Sequence, residues 1–571
     1  PAPFLATRVL SVQGLQGRST APAYRFFCSG SASNGTPWIR HSGECALLLR
    51  FGTDIDMEVN KKMLAYMAVL DKLPPLDGLI ELLPTYASLF VKFDPLKVSS
   101  SEVEKWCMSA SSSTSCASKV VDEPRQVSIP VCYGGEYGPD IDEAARIAGL
   151  SSAEEVVRVH SNGDYRVYFL GFMGGFPYMG GLPAVLAKVP RLQTPRQKVP
   201  KGTVGIAGGQ TGVYTIDTPG GWYMLGRTPA NLFDPSKDPP SLLRAGDLVK
   251  FVASEDDTVE TREVVKQVLP PPETPWIQIL SPGPLTTVQD FGRSGYARYG
   301  VSYSGAADKL ALRMGNALLG NEAGAAGLEV MMGGLKFRCL DTCAIALTGA
   351  DCEAKLKRRG RGRSQLAMNE ALLLQHDDEV ELSFPKDGMR TYVCVQGGVD
   401  VPIVLGSRST DIRGGLGGLQ GRSLGRDDTL GRRSPDGAKS RQAALVRAAH
   451  DPLRSLGTAS GKTWRLRVLP GPGDPRTGEV FVKELQALLD ASFNVSSRAD
   501  RMAVCVAQEG KDEANAAAKQ AEKYRDIPYG ISEYVPPELI MGKWMNLGSL
   551  VGGQQMSEGS ISGTVQLPPD G

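Results

Sequence analysis

The sequence predicts a mainly β protein with some α+β character, in which a small N-terminal α/β sandwich precedes tandem β-barrels. Three observations carry this expectation. Short runs rich in Val, Ile, Tyr and Phe, such as SIPVCYG from Ser128 and TYVCVQGG from Thr391, recur through the middle of the 571-residue chain and end in turn residues. Eight glycines fall between Gly202 and Gly226, inside a glycine-dense block from Leu170 to Pro229. Glycine at that density marks turns, bulges and close backbone approach. Near the start, the strand-like GECALLLRFG is followed by EVNKKMLAYMAVLDKL, whose apolar residues recur at helical spacing.

From Pro1 to Arg40 there is no Asp, Glu or Lys, while Arg8, Arg18, Arg25 and Arg40 punctuate an apolar, Ser-rich stretch. That composition reads as an organelle transit peptide over residues 1–36. FLATRVLSVQGLQGR suits a short basic amphipathic helix, which favours a mitochondrion and leaves a plastid open. The α/β sandwich follows over 37–125, with GLIELLPTYASLFVKFDP forming two strands around Pro84. The Ser/Cys/Ala-rich run between Ser99 and Lys119 is expected to be a surface loop.

A closed antiparallel barrel is expected over 126–256. Its strands are SIPVCYG, YRVYFLGF, TVGIAGG, GVYTIDT, WYMLGRT and DLVKFV, and its helices are DIDEAARIAGL and SAEEVVRVH. Residues 257–275 read as a linker, because the PPPETP cluster disfavours helix and forces an extended path. A further barrel is expected over 276–400. There DKLALRMGNALLGN forms a helix with Leu310, Met314 and Leu318 on one face, and Ser304 and Asp308 signal its start. Residues 401–571 are expected to form a last barrel carrying an Ala/Lys/Glu-rich insertion at 510–555.

Composition narrows the function classes. With 63 Lys and Arg against 62 Asp and Glu, the net charge of +1 argues against a nucleic-acid surface. The run LKRRGRGR near Lys357 reads as a solvated hairpin tip. No apolar run approaches the ~20 residues that span a bilayer, so no membrane partner is expected. Ten cysteines with no CxxC pair and four histidines argue against zinc, and fit reduced thiols in an intracellular compartment.

The segments GFMGGFPYMGG, TPRQKVPKGTVGIAGGQTGVYTIDTPGGW and LGRTP resemble the family that holds the B-type subunit of 5-oxoprolinase and the Kip-type inhibitor of a sporulation kinase. Gly171, Phe172, Gly175, Phe176, Tyr178 and Gly180 carry the signature, and Gly174 stands where the family has proline. SPGPLTTVQDFGRSGYARYGVSYSGAADKLALRMGNALLGN, GLEVMMGG, ALTGAD and GGVDVPIVLGSRSTDIRGGLGG resemble the C-type subunit of the same enzyme. The same two modules are fused in the carboxyltransferase region of urea carboxylase. The resemblance implies cyclophilin-like barrels, a fused B and C component, and a chain that is C-terminally incomplete. It implies ATP-dependent hydrolysis of 5-oxo-L-proline to L-glutamate, with Mg accompanying ATP and an A-type subunit as partner; a homo-oligomer is left open. Two alternatives follow from the same families. One is carboxyl transfer from carboxybiotin to urea or a similar amide, although the chain holds no MKM biotin-attachment motif. The other is a regulatory binding protein of the kinase-inhibitor kind.

Candidate residues follow from chemistry and from this resemblance. GTASGKT at Gly457 lacks one residue of a Walker loop and runs into strand-like WRLRVLPG, so it is not read as a phosphate site. Gly208, Gly209, Gln210 and Thr211, with a type II turn at Thr218 to Gly221 centred on Pro219 and Gly220, offer backbone amides for an anion nest or else merely close the barrel. Arg196 and Arg227 supply charge for a phosphate or carboxylate, and the signature residues Phe172 and Tyr178 border the same block. Amide activation needs a cation over the developing oxyanion and a carboxylate to place water or a proton. Arg408, Ser409, Thr410, Asp411 and Arg413 bring both types into one loop, and the family match adds Asp290, Ser304, Asp308, Glu329 and Asp351. His160 is placed as a general acid or base near neutral pH, with a core histidine as the competing reading.

Overall fold

The computed structural model describes residues 37–433 except 53, 118–123, 255–271, 359 and 386. It also describes six short strands, β1 (Val9–Val12), Trp464–Leu466, Ser492–Val495, Val506–Gln508, Met545–Asn546 and Gln566–Leu567. Val9–Val12 is a strand paired with Trp464–Leu466 and Ser492–Val495 where a short basic helix was expected, and the rest of the expected transit peptide, most of the linker, the Walker-like GTASGKT and nearly all of 434–571 with its insertion lie outside the described residues.

The first module is a four-stranded antiparallel sheet backed by two helices. β2 (Trp38–His41), β3 (Ala46–Arg50), β4 (Leu79–Pro84) and β5 (Ser88–Phe93) take the order β2-β3-β5-β4. α1 (Met57–Leu70) starts where the Asp56 carboxylate accepts from the amides of Glu58 and Val59, the N-cap bond that an exposed first turn needs. The Ser/Cys/Ala-rich run is a helix, α2 (Ser100–Ala117), where a loop was expected. Val103, Cys107 and Ala110 form a stripe at helical spacing and pack with Leu49, Tyr66 and Val91 in one core, so burial outweighs the serines' preference for turns.

The central module is a closed barrel. Its elements are β6 (Gln126–Tyr133), α3 (Ile141–Ala148), α4 (Ala153–Asn162), β7 (Tyr165–Leu170), β8 (Pro177–Gly180), β9 (Arg196–Val199), β10 (Thr203–Ala207), β11 (Gln210–Val213), β12 (Thr218–Gly220), β13 (Tyr223–Arg227) and β14 (Leu248–Ala253). The barrel runs β10-β11-β8-β7-β14-β6-β13 and closes between β13 and β10, while β9 and β12 form a separate ribbon. One seam departs from the expected antiparallel pattern: β14 lies parallel to β6, Val249 opposite Val127. The two helices between β6 and β7 and the long path from β13 to β14 allow that pairing.

The second half places two sheets face to face. Its elements are β15 (Pro275–Pro282), β16 (Leu285–Gln289), α5 (Lys309–Leu318), β17 (Gly327–Met331), β18 (Leu335–Cys339), β19 (Cys343–Asp351), β20 (Lys355–Arg358), β21 (Arg361–Gln365), β22 (Ala371–Leu374), β23 (Glu379–Glu381), β24 (Asp387–Val395), β25 (Val399–Asp400) and β26 (Thr429–Arg432). The sheets β21-β20-β23-β18-β15-β26-β25 and β16-β17-β24-β19-β22 share one core, including Trp276, Ile279, Val288, Leu328, Phe337, Ile345 and Val393. β26 pairs with β15, so the unit expected to end at residue 400 continues at least to Arg432. The basic run near Lys357 is the β20–β21 hairpin.

α5 lies on the outer face of the five-stranded sheet. It buries Ala311, Leu312, Gly315 and Leu318, whereas Leu310 is exposed; the apolar face is rotated from the expected Leu310–Met314–Leu318 row. Gly315 sets the approach, since a Cβ there would stand 2.5 Å from Cys394 Sγ.

Candidate functional site

β16 ends at Gln289 and delivers Asp290 to the rim of the second half, where the loop after β25 crosses it. Thr410 donates its amide at 2.9 Å and its hydroxyl at 3.0 Å to the Val288 carbonyl, which seats that loop on the strand end. The Asp290 carboxylate then accepts from the Gly292 amide (2.7 Å), the Arg408 amide (2.6 Å), and the hydroxyls of Ser407 (2.7 Å) and Ser409 (2.5 Å). Four donors onto one carboxylate make Asp290 a clamp for two loops, because each charge-assisted bond outweighs a neutral one.

Arg293, three residues on, is 1% exposed. Its Nη1 donates to Ser304 Oγ (3.0 Å) and its Nη2 to the Ser409 carbonyl (2.5 Å), while Nε is buried without a partner. Burial pulls this guanidinium below its ordinary range, and Asp411 and Asp290 oppose that pull. Sequence reasoning missed Arg293. The signal available was its spacing from Asp290 in QDFGR, which brings a cation back onto the loop that a carboxylate clamps.

The expected cluster is therefore partly assembled. Ser304 and Ser409 meet at Arg293, Arg408 and Ser409 meet at Asp290, Thr410 seats their loop on Val288, and Asp290 and Asp411 interact electrostatically with Arg293. Ser409 and Thr410 are buried and serve the loop fold; Arg408, whose side chain is 21% exposed, lies 3.6 Å from Asp400. Asp411 Oδ1 accepts from the Gly414 amide (3.1 Å) and shapes the following turn.

Glu329 and Asp308 act at the start of α5. Buried Glu329 accepts from the Ala307 amide and the Tyr392 hydroxyl, both at 2.8 Å, and faces Arg390 Nε at 3.7 Å. The Asp308 amide donates to Tyr392 Oη (2.7 Å), and its carboxylate caps the helix through the Ala311 amide (2.9 Å). Asp351, exposed at the end of β19, accepts from the Glu353 amide (2.8 Å); among the described residues no hydrogen bond or ion pair joins it to the Asp290 cluster. As a catalytic candidate it is thus not brought to the cluster.

The first-half candidates are mostly structural. His160 is fully buried, with Nδ1 2.8 Å from Tyr133 Oη, Nε2 3.0 Å from Thr211 Oγ1, and its ring stacked on Phe251. Burial pushes its pKa down to about 3, so it stays neutral and has no path to trade protons with a substrate at neutral pH. The acid/base expectation is corrected to a core histidine, and Thr211 is its partner.

Gly208 and Gly209, at φ 55° and 82°, are the two central residues of a hairpin joining Ala207 to Gln210, and the Gly208 amide is given to the Val189 carbonyl (2.8 Å). Gln210 donates to Tyr86 Oη (2.7 Å). The expected type II turn is absent, since Thr218 to Gly220 is strand β12 and Gly220 does not take the positive φ such a turn requires. A Cβ at Gly220 would stand 2.6 Å from Tyr214 Oη, and the Gly221 carbonyl accepts from the Leu192 amide (2.8 Å), so both serve packing. Arg196 is committed to Asp140 (2.5 Å), and Arg227 Nε donates to the Lys201 carbonyl (2.8 Å).

The signature loop instead meets the second half. Phe172 sits at φ 69°, an outlier for an aromatic residue, and Tyr178 stacks on Phe169 with centroids 4.7 Å apart. The Gly175 amide donates to the Tyr299 carbonyl (2.8 Å). On the second-half loop that carries Tyr299, the Ala297 amide reaches Glu81 Oε1 (2.7 Å), the Tyr303 hydroxyl donates to Glu81 Oε2, and Lys92 Nζ stands 3.8 Å above the Tyr303 ring. Because the Arg293 amide bonds the Tyr303 carbonyl (2.8 Å), this docking is continuous with the Asp290–Arg293 cluster.

Two family models match the chain: carboxyltransferase domain, subdomain C and D, over residues 37–243, and carboxyltransferase domain, subdomain A and B, over residues 299–571. The chain belongs to the carboxyltransferase-domain family. Within that family, the B-type subunit of Bacillus subtilis 5-oxoprolinase is 45% identical over 226 residues, covering 38% of this chain and 91% of that protein. The C-type subunit of Escherichia coli K12 5-oxoprolinase is 38% identical over 228 residues, covering 40% of this chain and 66% of that protein. A crystal structure of TTHA0988 superposes with a TM-score of 0.65 at 31% identity, covering 81% of this chain and 86% of that one. Both subunit types are thus represented in one carboxyltransferase-domain chain, and the Glu81–Tyr303 contact joins the two matched regions.

Proposed function

We propose that this chain is the fused B- and C-type component of a 5-oxoprolinase, which opens 5-oxo-L-proline to L-glutamate together with an A-type subunit. The observation that carries the reading is the succession of B-type and C-type sequence in one chain, docked through the loop that also holds the polar cluster.

Ring opening breaks the lactam C–N bond as water adds to the carbonyl carbon, and negative charge develops on the lactam oxygen. Donors fixed in advance around that oxygen lower the barrier. Ser304 and the guanidinium of Arg408 are the half-exposed donors of the cluster, and Asp411 is the half-exposed carboxylate available to place water. Asp290 and Arg293 hold these groups in register.

ATP, with Mg, supplies phosphoryl chemistry to such a reaction when bound. The glycine block offers it no preformed anion nest: the Gly208 amide is spent on Val189, β12 replaces the expected turn, Arg196 Nη2 is on Asp140 and Arg227 Nε on the Lys201 carbonyl.

The test is glutamate release from 5-oxo-L-proline and ATP by this chain mixed with an A-type subunit. Release that requires both proteins is expected. Folded components that together give none overturn the reading, and the same preparation supplied with carboxybiotin and urea then tests carboxyl transfer.

A further inference from the structure

Ser304 lies at φ 51°, in the left-handed region that a serine rarely adopts. Such a conformation persists only where the surroundings over-determine it. Here they do: the Arg293 amide holds the Tyr303 carbonyl at 2.8 Å, the Ala306 amide donates to the Asp290 carbonyl at 2.7 Å, and Arg293 Nη1 donates to Ser304 Oγ at 3.0 Å.

The last of these bonds has a chemical consequence. A guanidinium can only donate, so Ser304 Oγ is the acceptor and its own O–H must point elsewhere. Among the described residues that proton meets no acceptor, and the side chain is half-buried, within reach of a small ligand. A cation behind the oxygen polarises the O–H and makes it a stronger donor, an effect that Asp290 and Asp411 temper without removing. Arg293 is itself too deeply buried to touch a ligand.

We propose that Ser304 is a substrate-contacting hydroxyl donor, and that Arg293 is a positioning residue that orients it toward an oxygen atom bearing negative charge. The inference rests on the 5-oxoprolinase reading, under which that oxygen belongs either to the lactam carbonyl or to the carboxylate of 5-oxo-L-proline. Arg408 is tied to the same cluster through its amide, which donates to the Asp290 carboxylate, while its guanidinium lies 3.6 Å from Asp400.

Ser304→Gly separates this role from a merely structural one. Glycine relieves the left-handed conformation while deleting the hydroxyl, so the relief offsets part of the cost of leaving the buried Arg293 Nη1 without its acceptor. With the full chain and its A-type subunit, kcat for glutamate release is expected to fall about 100-fold, the scale of losing one oxyanion donor, in a variant that a melting curve shows still folded. Arg293→Lys keeps the charge but cannot bridge both Ser304 and Ser409, and it should show the same loss. Competitive inhibition by 2-pyrrolidinone, which has only the lactam oxygen, and by L-proline, which has only the carboxylate, distinguishes the two oxygens: Ser304→Gly weakens the inhibitor whose oxygen it contacts.

Turnover by wild-type protein together with unchanged kcat, KM and inhibition in Ser304→Gly overturns the assignment. Failure of the wild-type assembly to release glutamate sinks the functional reading itself, and the Ser304 assignment with it.

Discussion

Tyr303 donates its hydroxyl to Glu81, a residue 222 positions earlier in the chain, and so ties the loop of the second half to strand β4 of the first. Glu81 is 5% exposed and also takes the Ala297 amide, while Lys92 covers the tyrosine ring. Burial and the neighbouring carboxylate both push the Tyr303 hydroxyl well above the usual phenol range, so it remains a donor throughout the accessible pH range.

Replacing Tyr303 with Phe removes one donor from a buried carboxylate and should cost about 2 kcal/mol of stability. Hydrogen exchange offers the more local check. Amides in the 297–303 loop should exchange faster in Tyr303→Phe, with the barrel strands unaffected; uniform protection across both would show that the contact contributes nothing to docking.

His160 sets a pH dependence of stability. Its folded pKa of about 3 lies below the ordinary histidine value of 6.5, so between those pH values the unfolded chain binds a proton that the native state does not. Stability from this group is therefore full above pH 6.5 and declines as pH falls toward 3, at up to about 1.4 kcal/mol per pH unit. Chemical denaturation of wild type and His160→Gln across this window should give a steeper slope for the wild type. Equal slopes would remove histidine as the cause.

Gly315 lets α5 approach the five-stranded sheet. Alanine there would meet Cys394 Sγ at 2.5 Å and Thr348 Oγ1 at 3.2 Å, an overpacking expected to cost about 1–3 kcal/mol. Adding Cys394→Ala should recover part of that loss, which thermal melts of the single and double variants would reveal. Additive losses would place the clash elsewhere.

Asp290 and Arg408 should separate stability from activity. Asp290→Ala strands four donors and is expected to destabilise the protein by about 3 kcal/mol. Arg408 forms only a long, partly exposed contact with Asp400, so Arg408→Ala should shift stability by less than about 1 kcal/mol while cutting glutamate release about 100-fold. Melting curves beside single-substrate kinetics test both halves. Normal turnover in Arg408→Ala would remove it from the site.

The sequence alone determined what depends on near neighbours in the chain. Strand alternation, the helices α1, α3, α4 and α5, and the cap at Asp308 were legible because backbone hydrogen bonding and side-chain period act over a few residues. The Ser409–Thr410 loop was also legible as a polar cluster, although its composition suits a solvated loop equally well. What only the tertiary structure decided is which distant groups meet. Asp290 reaches Ser407, Arg408 and Ser409 across 117 to 119 positions, Arg293 is enclosed between them and Ser304, and His160 turns inward to Thr211. Those outcomes depend on how two sheets, a barrel and a docked loop exclude water around particular side chains, and local pattern carries no record of that burial.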